Sequence, residues 1–244
     1  MHIGSARTNL RGILFDLDGT LYFQPRVQAI MLTRILKEVA LTRPWLCQWE
    51  VVKVLRAFRK NRENLRAIPA GSGIRGLQYS VVAEELGIMP GRVKEIVELF
   101  MYEKPLSALK SISNARTREA IERLKKRNFK IGVFSDYPAE DKLAALGLEY
   151  TLFDVVADST MPEIDALKPN PRGFIYSADK MGLAPSEVLY VGDRVDVDIA
   201  GAAGAGMKGA LVTWSTMRPF WKPKGDIFMI TRDITSLERE LTEG

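Results

Sequence analysis

Four short apolar runs punctuate the chain, and each ends abruptly in polar residues: Gly12–Phe15, Lys130–Phe134, Val188–Val191 and Ala210–Thr213. They are too short for independent helices and predict buried strands. Weaker runs at Phe153–Ala157 and Ile227–Ile230 extend the set. Helical periodicity fills the intervals, over Asn114–Arg127, Glu140–Leu146, Pro171–Met181 and Asp198–Ala205. Asn114 or Ser113 suits a helix start, and Gly147, Gly182 and Gly206 suit helix stops. Strands alternating with helices of this length predict an α/β fold, with a doubly wound parallel sheet covered on both faces. The stretch from Tyr22 to about Lys110 departs from that rhythm. It has no convincing strand and is periodic as helix over Val27–Ala40, Gln48–Leu65, Gln78–Leu86 and Gly91–Phe100. It therefore predicts a helical domain over 22–110, inserted into a core made of 1–21 and 111–244, with Pro25 and Pro105 near the hinges.

Composition narrows the class. Of 244 residues, 46% are hydrophobic and 27% charged, a globular balance with ample material for a core. Cys47 is alone, which excludes an intramolecular disulfide and suits a reducing compartment. No run approaches the roughly 20 apolar residues of a membrane span, and Met1–Leu10 lacks a secretory apolar stretch, so a cytoplasmic location is expected. The net charge is +5, and the basic excess is concentrated between Arg26 and Lys110, notably at Arg56, Arg59, Lys60, Arg62, Arg66 and Arg75. Such an excess fits either a solvated helical face or an anionic partner.

The chemistry gathers where predicted strands end. The first strand runs into Asp16-Leu17-Asp18-Gly19-Thr20. Two carboxylates two residues apart on extended chain share a face and repel unless a cation sits with them, and hard divalent ions take oxygen ligands. The strand Val188–Val191 runs into Gly192-Asp193-Arg194-Val195-Asp196-Val197-Asp198, which places three acids in six residues. Asp193 is the candidate metal ligand among them, while Asp198 also fits as an N-cap for a helix beginning at Ile199 and Asp196 also fits as a solvated side chain. Ser135 closes the second strand, where a hydroxyl and neighbouring backbone N–H suit a phosphate oxygen. Lys168 lies in Ala166-Leu167-Lys168-Pro169-Asn170-Pro171, a loop that two prolines stiffen, and a fixed ammonium there would offset acidic repulsion.

Together these four pieces, in this order, resemble the motifs of the haloacid dehalogenase-like superfamily of phosphohydrolases. Phe15–Leu21 resembles its first motif without a mismatch, Ser135 its second, Lys168 its third, and Gly192-Asp193 with Asp198 its fourth. The resemblance implies a Rossmann-like core with an α-helical cap, and it implies roles. Asp16 would be the nucleophile of a phosphatase acting on a small phosphate monoester through an aspartyl-phosphate, and Asp18 the acid and base. Ser135, Asp136 and Lys168 would bind the phosphoryl group. Mg²⁺ would be held by Asp16, the backbone carbonyl of Asp18 and Asp193, with Asp198 in support. Two departures stand out: Asp136 occupies a position where the family often has Asn, and Asp196 competes with Asp198 for the supporting place.

Alternatives remain open at this level. A phosphomutase or phosphotransferase would keep both aspartates. A nucleic-acid-binding protein on this scaffold would use the basic cap, but the acidic constellation disfavours it. The expected partner is a small phosphorylated metabolite, with no nucleic acid or membrane and with a monomeric or homodimeric state. Gly71-Ser72-Gly73-Ile74-Arg75-Gly76 matches G-x-G-x-x-G without the strand before it that a dinucleotide site requires, which leaves either a plain interhelical loop or a flexible cap loop offering Arg75 to substrate. Gly204–Gly209 matches the same pattern in the wrong context and is expected as a helix stop. Trp45 and Trp49, four apart, are expected to share a packed helix face, and His2 has no expected role.

Overall fold

The computed structural model describes residues 9–41, 45–214 and 227–242. Six strands form one parallel sheet: β1 (Gly12–Phe15), β2 (Lys130–Ser135), β3 (Val155–Asp158), β4 (Val188–Gly192), β5 (Lys208–Val212) and β6 (Ile227–Thr231). Their order is β3-β2-β1-β4-β5-β6. The chain leaves β1 to build one wing and returns beside it to build the other. That reversal, between β1 and β4, is where an open α/β sheet binds ligands beyond its strand ends. Pairing of Phe15 with Val133 on one side and Val191 on the other brings the three central strands to a common edge.

Alternation along the strands splits the core into two apolar clusters. Ile13, Phe15, Ile131, Val133, Leu189 and Val191 face one side, and Leu14, Phe134, Val155, Ala157, Val188 and Tyr190 face the other. Helix α6 (Ala115–Lys126), helix α7 (Glu140–Ala145) and helix α10 (Ile234–Thr242) cover the first face, packing Ile121, Leu124, Leu143 and Leu237 there. Helix α8 (Arg172–Lys180) and helix α9 (Ala200–Gly204) cover the second through Phe174, Ala178 and Ala202. Asn114 caps α6 by accepting the Arg116 N–H at 3.1 Å, and Gly147, Gly182 and Gly206 all take left-handed φ after their helices. Helix α10 had no counterpart in the sequence reading.

Helices α1 (Gln24–Leu41), α2 (Trp45–Leu65), α3 (Ile74–Leu86), α4 (Pro90–Val97) and α5 (Lys104–Ile112) lie between β1 and α6. Helices α2, α3 and α4 own a separate cluster around Val54, Phe58, Tyr79, Val82, Val93 and Ile96. In contrast, Val27 of α1 and Ala108 and Leu109 of α5 share the cluster of the sheet. Pro105, expected near a hinge, stands instead inside continuous helical chain, just after the wider π-helical turn Glu98–Glu103 that runs into α5. Trp49 is 62% exposed rather than packed. Trp221 and His2 lie outside the described residues, as do the side chains of Trp45 and Cys47. No described helix is long and apolar enough to cross a membrane.

The insertion docks on the core through apolar contacts, Leu65 and Ile74 against Leu167 among them, and through polar ones. Arg62 donates to the Asp136 carbonyl at 2.6 Å, and Arg66 donates to the Asp136 carboxylate and to the Lys168 carbonyl, each at 2.6 Å. Glu63 pairs with Arg194 at 3.0 Å, a half-exposed contact of the kind that contributes little. The Gly71–Gly73 loop, expected to be flexible, is tied down instead. Asp165 of the core accepts the N–H groups of Gly73 and Ile74, each at 2.7 Å, and thereby caps α3 from 91 residues away.

Two stability predictions follow from this docking. Replacing Asp165 by Ala removes the cap of α3 and is expected to cost about 1 kcal/mol, within the usual range for N-caps, measured as a lowered urea midpoint. Asp136 supplies the second. Burial raises its pKa, but Lys168, Arg66 and Arg62 together outweigh burial and hold it at about 2, below the ordinary 3.8. A depressed carboxylate stabilises the fold above its unfolded pKa and loses that contribution as pH falls through the folded value. Roughly 2 kcal/mol is therefore expected to vanish between about pH 4 and pH 2. In Asp136→Asn, acid titration of unfolding should show a shallower slope across that window.

Candidate active site

Burial of β1 delivers Asp16 to the sheet edge, where its N–H donates to the Val191 carbonyl at 2.8 Å and the residue is only 5% exposed. The chain then turns at Gly19, with φ 98°. A Cβ at Gly19 would lie 2.2 Å from Asp193 Oδ2, so glycine both permits the turn and leaves room for that carboxylate. Gly192 serves β4 likewise, because a Cβ there would lie 2.4 Å from the Asp198 Cβ. Trp214 donates to the Gly19 carbonyl and fixes the turn from outside.

Lys168 joins the two strand ends. Its ammonium donates to Asp16 Oδ1 at 2.6 Å, to Asp198 Oδ1 at 2.7 Å and to the Tyr190 hydroxyl at 2.9 Å. Those three bonds use all its protons. Burial opposes its charge, yet Asp16 and Asp198 outweigh burial and hold the lysine protonated. Tyr190 in turn reaches the Phe134 carbonyl at 3.1 Å.

Ligand oxygens of Asp16, Asp193 and Asp198 lie within 4.8 Å of one another. Asp196 is exposed and pairs with Arg194 at 2.7 Å, so Asp198 is the acid that the fold brings into the cluster. Both oxygens of Asp198 are committed: Oδ1 to Lys168, and Oδ2 to the N–H groups of Asp193 at 3.1 Å and Arg194 at 3.0 Å. It organises the loop. Asp193 and the second oxygen of Asp16, which accepts from Thr20 at a long 3.2 Å, are freer to meet a cation. Burial pushes the Asp16 carboxyl well above the usual range, opposed by Lys168 and reinforced by Asp198 and Asp193. Burial, and then Asp198, raise Asp193 to about 7.

Asp18 has its own cation, which sequence reasoning missed. Lys142 of α7 donates to both of its oxygens, at 2.8 and 2.6 Å, and the Tyr22 hydroxyl donates to Oδ1. Four carboxylates, Asp16, Asp18, Asp193 and Asp198, thus face two ammonium groups, and with all four ionised they carry two negative charges in excess, the repulsion that raises Asp16 and Asp193 and that a cation would relieve. An all-oxygen donor set with that excess fits one hard divalent ion such as Mg²⁺.

The remaining sequence-derived candidates divide. Ser135 is buried at the end of β2, accepts the Tyr137 N–H at 3.1 Å, and keeps its own proton without an acceptor among the described residues. The Asp136 carboxylate, for which the sequence offers no role beside the backbone N–H expected to bind phosphate, is consumed by Arg66, by the Ser159 hydroxyl at 2.9 Å and by the Lys168 N–H at 3.1 Å. It is a brace between cap and core, which accounts for an acid at this position. Arg75 is exposed on the first turn of α3, and the arginines of the insertion that reach the strand ends are Arg62 of α2 and Arg66 in the turn just after it.

Comparison with known proteins places this geometry in context. A segment of 87 residues is 41% identical to a glyceraldehyde 3-phosphate phosphatase of Methanopyrus kandleri, covering 34% of this chain and 36% of that protein. The glyceraldehyde 3-phosphate phosphatase of Methanocaldococcus jannaschii is 28% identical over 201 residues, which cover 81% of this chain and 82% of that one. Among solved structures, the HAD-hydrolase YfnB of Bacillus subtilis, bound to magnesium, has the same fold at a TM-score of 0.62 and 16% identity, with 96% of this chain and 100% of that chain covered. The haloacid dehalogenase-like hydrolase family matches residues 10–206, a span that contains every residue of the acidic cluster and both its lysines. The chain belongs to the haloacid dehalogenase-like hydrolase family.

Proposed function

We propose that the chain is a Mg²⁺-dependent phosphatase that hydrolyses a small phosphate monoester through a phosphorylated Asp16. The observation that carries this reading is the convergence of Asp16, Asp193 and Asp198 around the buried Lys168 at the sheet's reversal point. The activity named for the two archaeal relatives supports a small phosphorylated metabolite as substrate.

Asp16 attacks phosphorus, and the bond from phosphorus to the leaving oxygen breaks as Asp18 gives that oxygen a proton. Water then attacks the aspartyl-phosphate while Asp18 takes its proton, which releases phosphate and regenerates Asp16. Mg²⁺, held by Asp16, the Asp18 backbone carbonyl and Asp193, supplies charge neutralisation when bound. Ser135 offers its hydroxyl proton to a phosphoryl oxygen. Lys168 offers the proton now given to Tyr190, because that phenol alone among its partners is uncharged and keeps the Phe134 carbonyl in exchange. Asp198 holds Lys168 and the Asp193 loop in place and does not itself react.

Incubation with Mg²⁺ and a panel of phosphate monoesters tests the proposal by inorganic phosphate release. Release is expected to stop with EDTA and in Asp16→Asn, and ³²P-labelled substrate should mark the unsubstituted enzyme but not that variant. Turnover that persists in Asp16→Asn, or that ignores divalent ions, would refute it. Lys168→Met is expected to lose activity and stability together. Removing one member of a buried ion network typically costs about 3–5 kcal/mol, readable by urea unfolding at neutral pH.

A further inference from the structure

The geometry points to Lys142 as the positioning residue for the acid and base of the reaction, a role that rests on the phosphatase reading above. Lys142 sits on α7, on the face of the sheet covered by α6 and α10, and belongs to the core rather than the cap. Its side chain is 8% exposed and that of Asp18 12%, so the pair is largely withdrawn from water. The ammonium touches both Asp18 oxygens and lies 5.2 Å from the centre of the Tyr137 ring. Asp18 is its ion-pair partner across 124 residues.

A buried ion pair is a poor source of net stability, because desolvation of both charges offsets most of their attraction. What the pair secures is direction. A carboxylate offers about four acceptor positions. Lys142 takes two of those of Asp18, and the Tyr22 hydroxyl takes a third on Oδ1. The position left is on Oδ2. The backbone of Asp18 is bridged to that of Tyr22, so main chain and side chain are both fixed. Asp18 therefore presents one oxygen in one orientation, as a group needs if it gives a proton to the leaving oxygen and later takes one from water.

The two aspartates are also kept distinct. Asp16 answers to Lys168 from the loop before α8, and Asp18 to Lys142 from α7. Neither lysine bridges the two acids, so disturbing one pair leaves the other intact. Loss of Lys142 should affect proton transfer while leaving attack by Asp16 in place, and this separates a positioning role from a structural one.

Pre-steady-state hydrolysis of p-nitrophenyl phosphate and of glycerol phosphate, with Mg²⁺, by the unsubstituted protein, Lys142→Met and Lys142→Arg distinguishes them. Nitrophenolate leaves without protonation, so its burst should keep its rate within a few-fold in Lys142→Met. Steady-state turnover of the common phosphoenzyme should fall by about 10²-fold or more, the scale of general acid–base catalysis. Glycerol phosphate, whose leaving oxygen needs a proton, should lose its first step as well, and Lys142→Arg should restore part of both. A burst slowed in parallel with turnover, or a variant as active as the parent, would overturn the role of Lys142. If Lys142→Met does not fold, Tyr22→Phe serves: turnover should slow with an unchanged burst, and unchanged turnover would overturn the positioning of Asp18. Absence of any Mg²⁺-dependent burst or turnover in the unsubstituted protein would instead bring down the phosphatase reading, and this role with it.

Discussion

The structure depends on one buried ammonium. Lys168 is 2% exposed and gives its three protons to Asp16, Asp198 and Tyr190, which stand on or just beyond two different strands. Its backbone is engaged as fully. The N–H binds Asp136 at the end of β2, and the carbonyl accepts from Arg66 of the cap. A side chain in this position is tolerable only when the acids around it remain, and those acids are tolerable only with it. Mutual need of this kind explains why residues scattered from position 16 to position 198 form a single unit at the sheet edge.

Within that unit, environment rather than residue type separates the roles of the acids. Asp16 is buried against Lys168, Asp193 is partly open and raised to about 7, and Asp198 has every oxygen engaged by protein donors. Asp18 lies apart with Lys142. Four aspartates thereby acquire distinct duties, in the way that paired carboxylates elsewhere are separated by burial and neighbours. The carboxylates that one lysine does not fully neutralise form an all-oxygen donor set of the kind that suits a divalent ion.

Much of this was legible from residue order. Short apolar runs ending in polar residues pointed to the strands, the acids at two of those ends pointed to the site, and Asp16, Asp18, Lys168, Asp193 and Asp198 lie where those ends converge. Lys142 was not legible, because a lysine after Glu140 and Asp141 on a short helix has the composition of a solvated surface. Arg62 did leave a signal. It follows Val54 and Phe58 at the i, i+4, i+8 spacing of the buried stripe of α2, and a charge on such a stripe demands a buried partner. Tyr190 left another, as a phenol inside an apolar strand whose hydroxyl needs an acceptor or donor. Arg75 came forward as one candidate because a glycine-rich loop looks mobile, whereas a remote carboxylate at Asp165 ties this one down.

The basic surplus of the inserted helices also changes meaning once its partners are known. Lys60 answers Glu85, Arg92 answers Glu50, and Arg62 and Arg66 are spent on the core. Net charge along the sequence therefore overstates the field that an anionic substrate meets. The two arginines that matter act at contact distance, Arg62 on the Asp136 carbonyl and Arg66 on the Asp136 carboxylate and the Lys168 carbonyl. A shift of α2 away from the core would strip Lys168 of its carbonyl partner and Asp136 of its guanidinium at once. The position of the inserted helices and the placement of Lys168 are thus coupled through Asp136 and a single peptide unit, and an acid there, rather than a neutral amide, gives the coupling its strength.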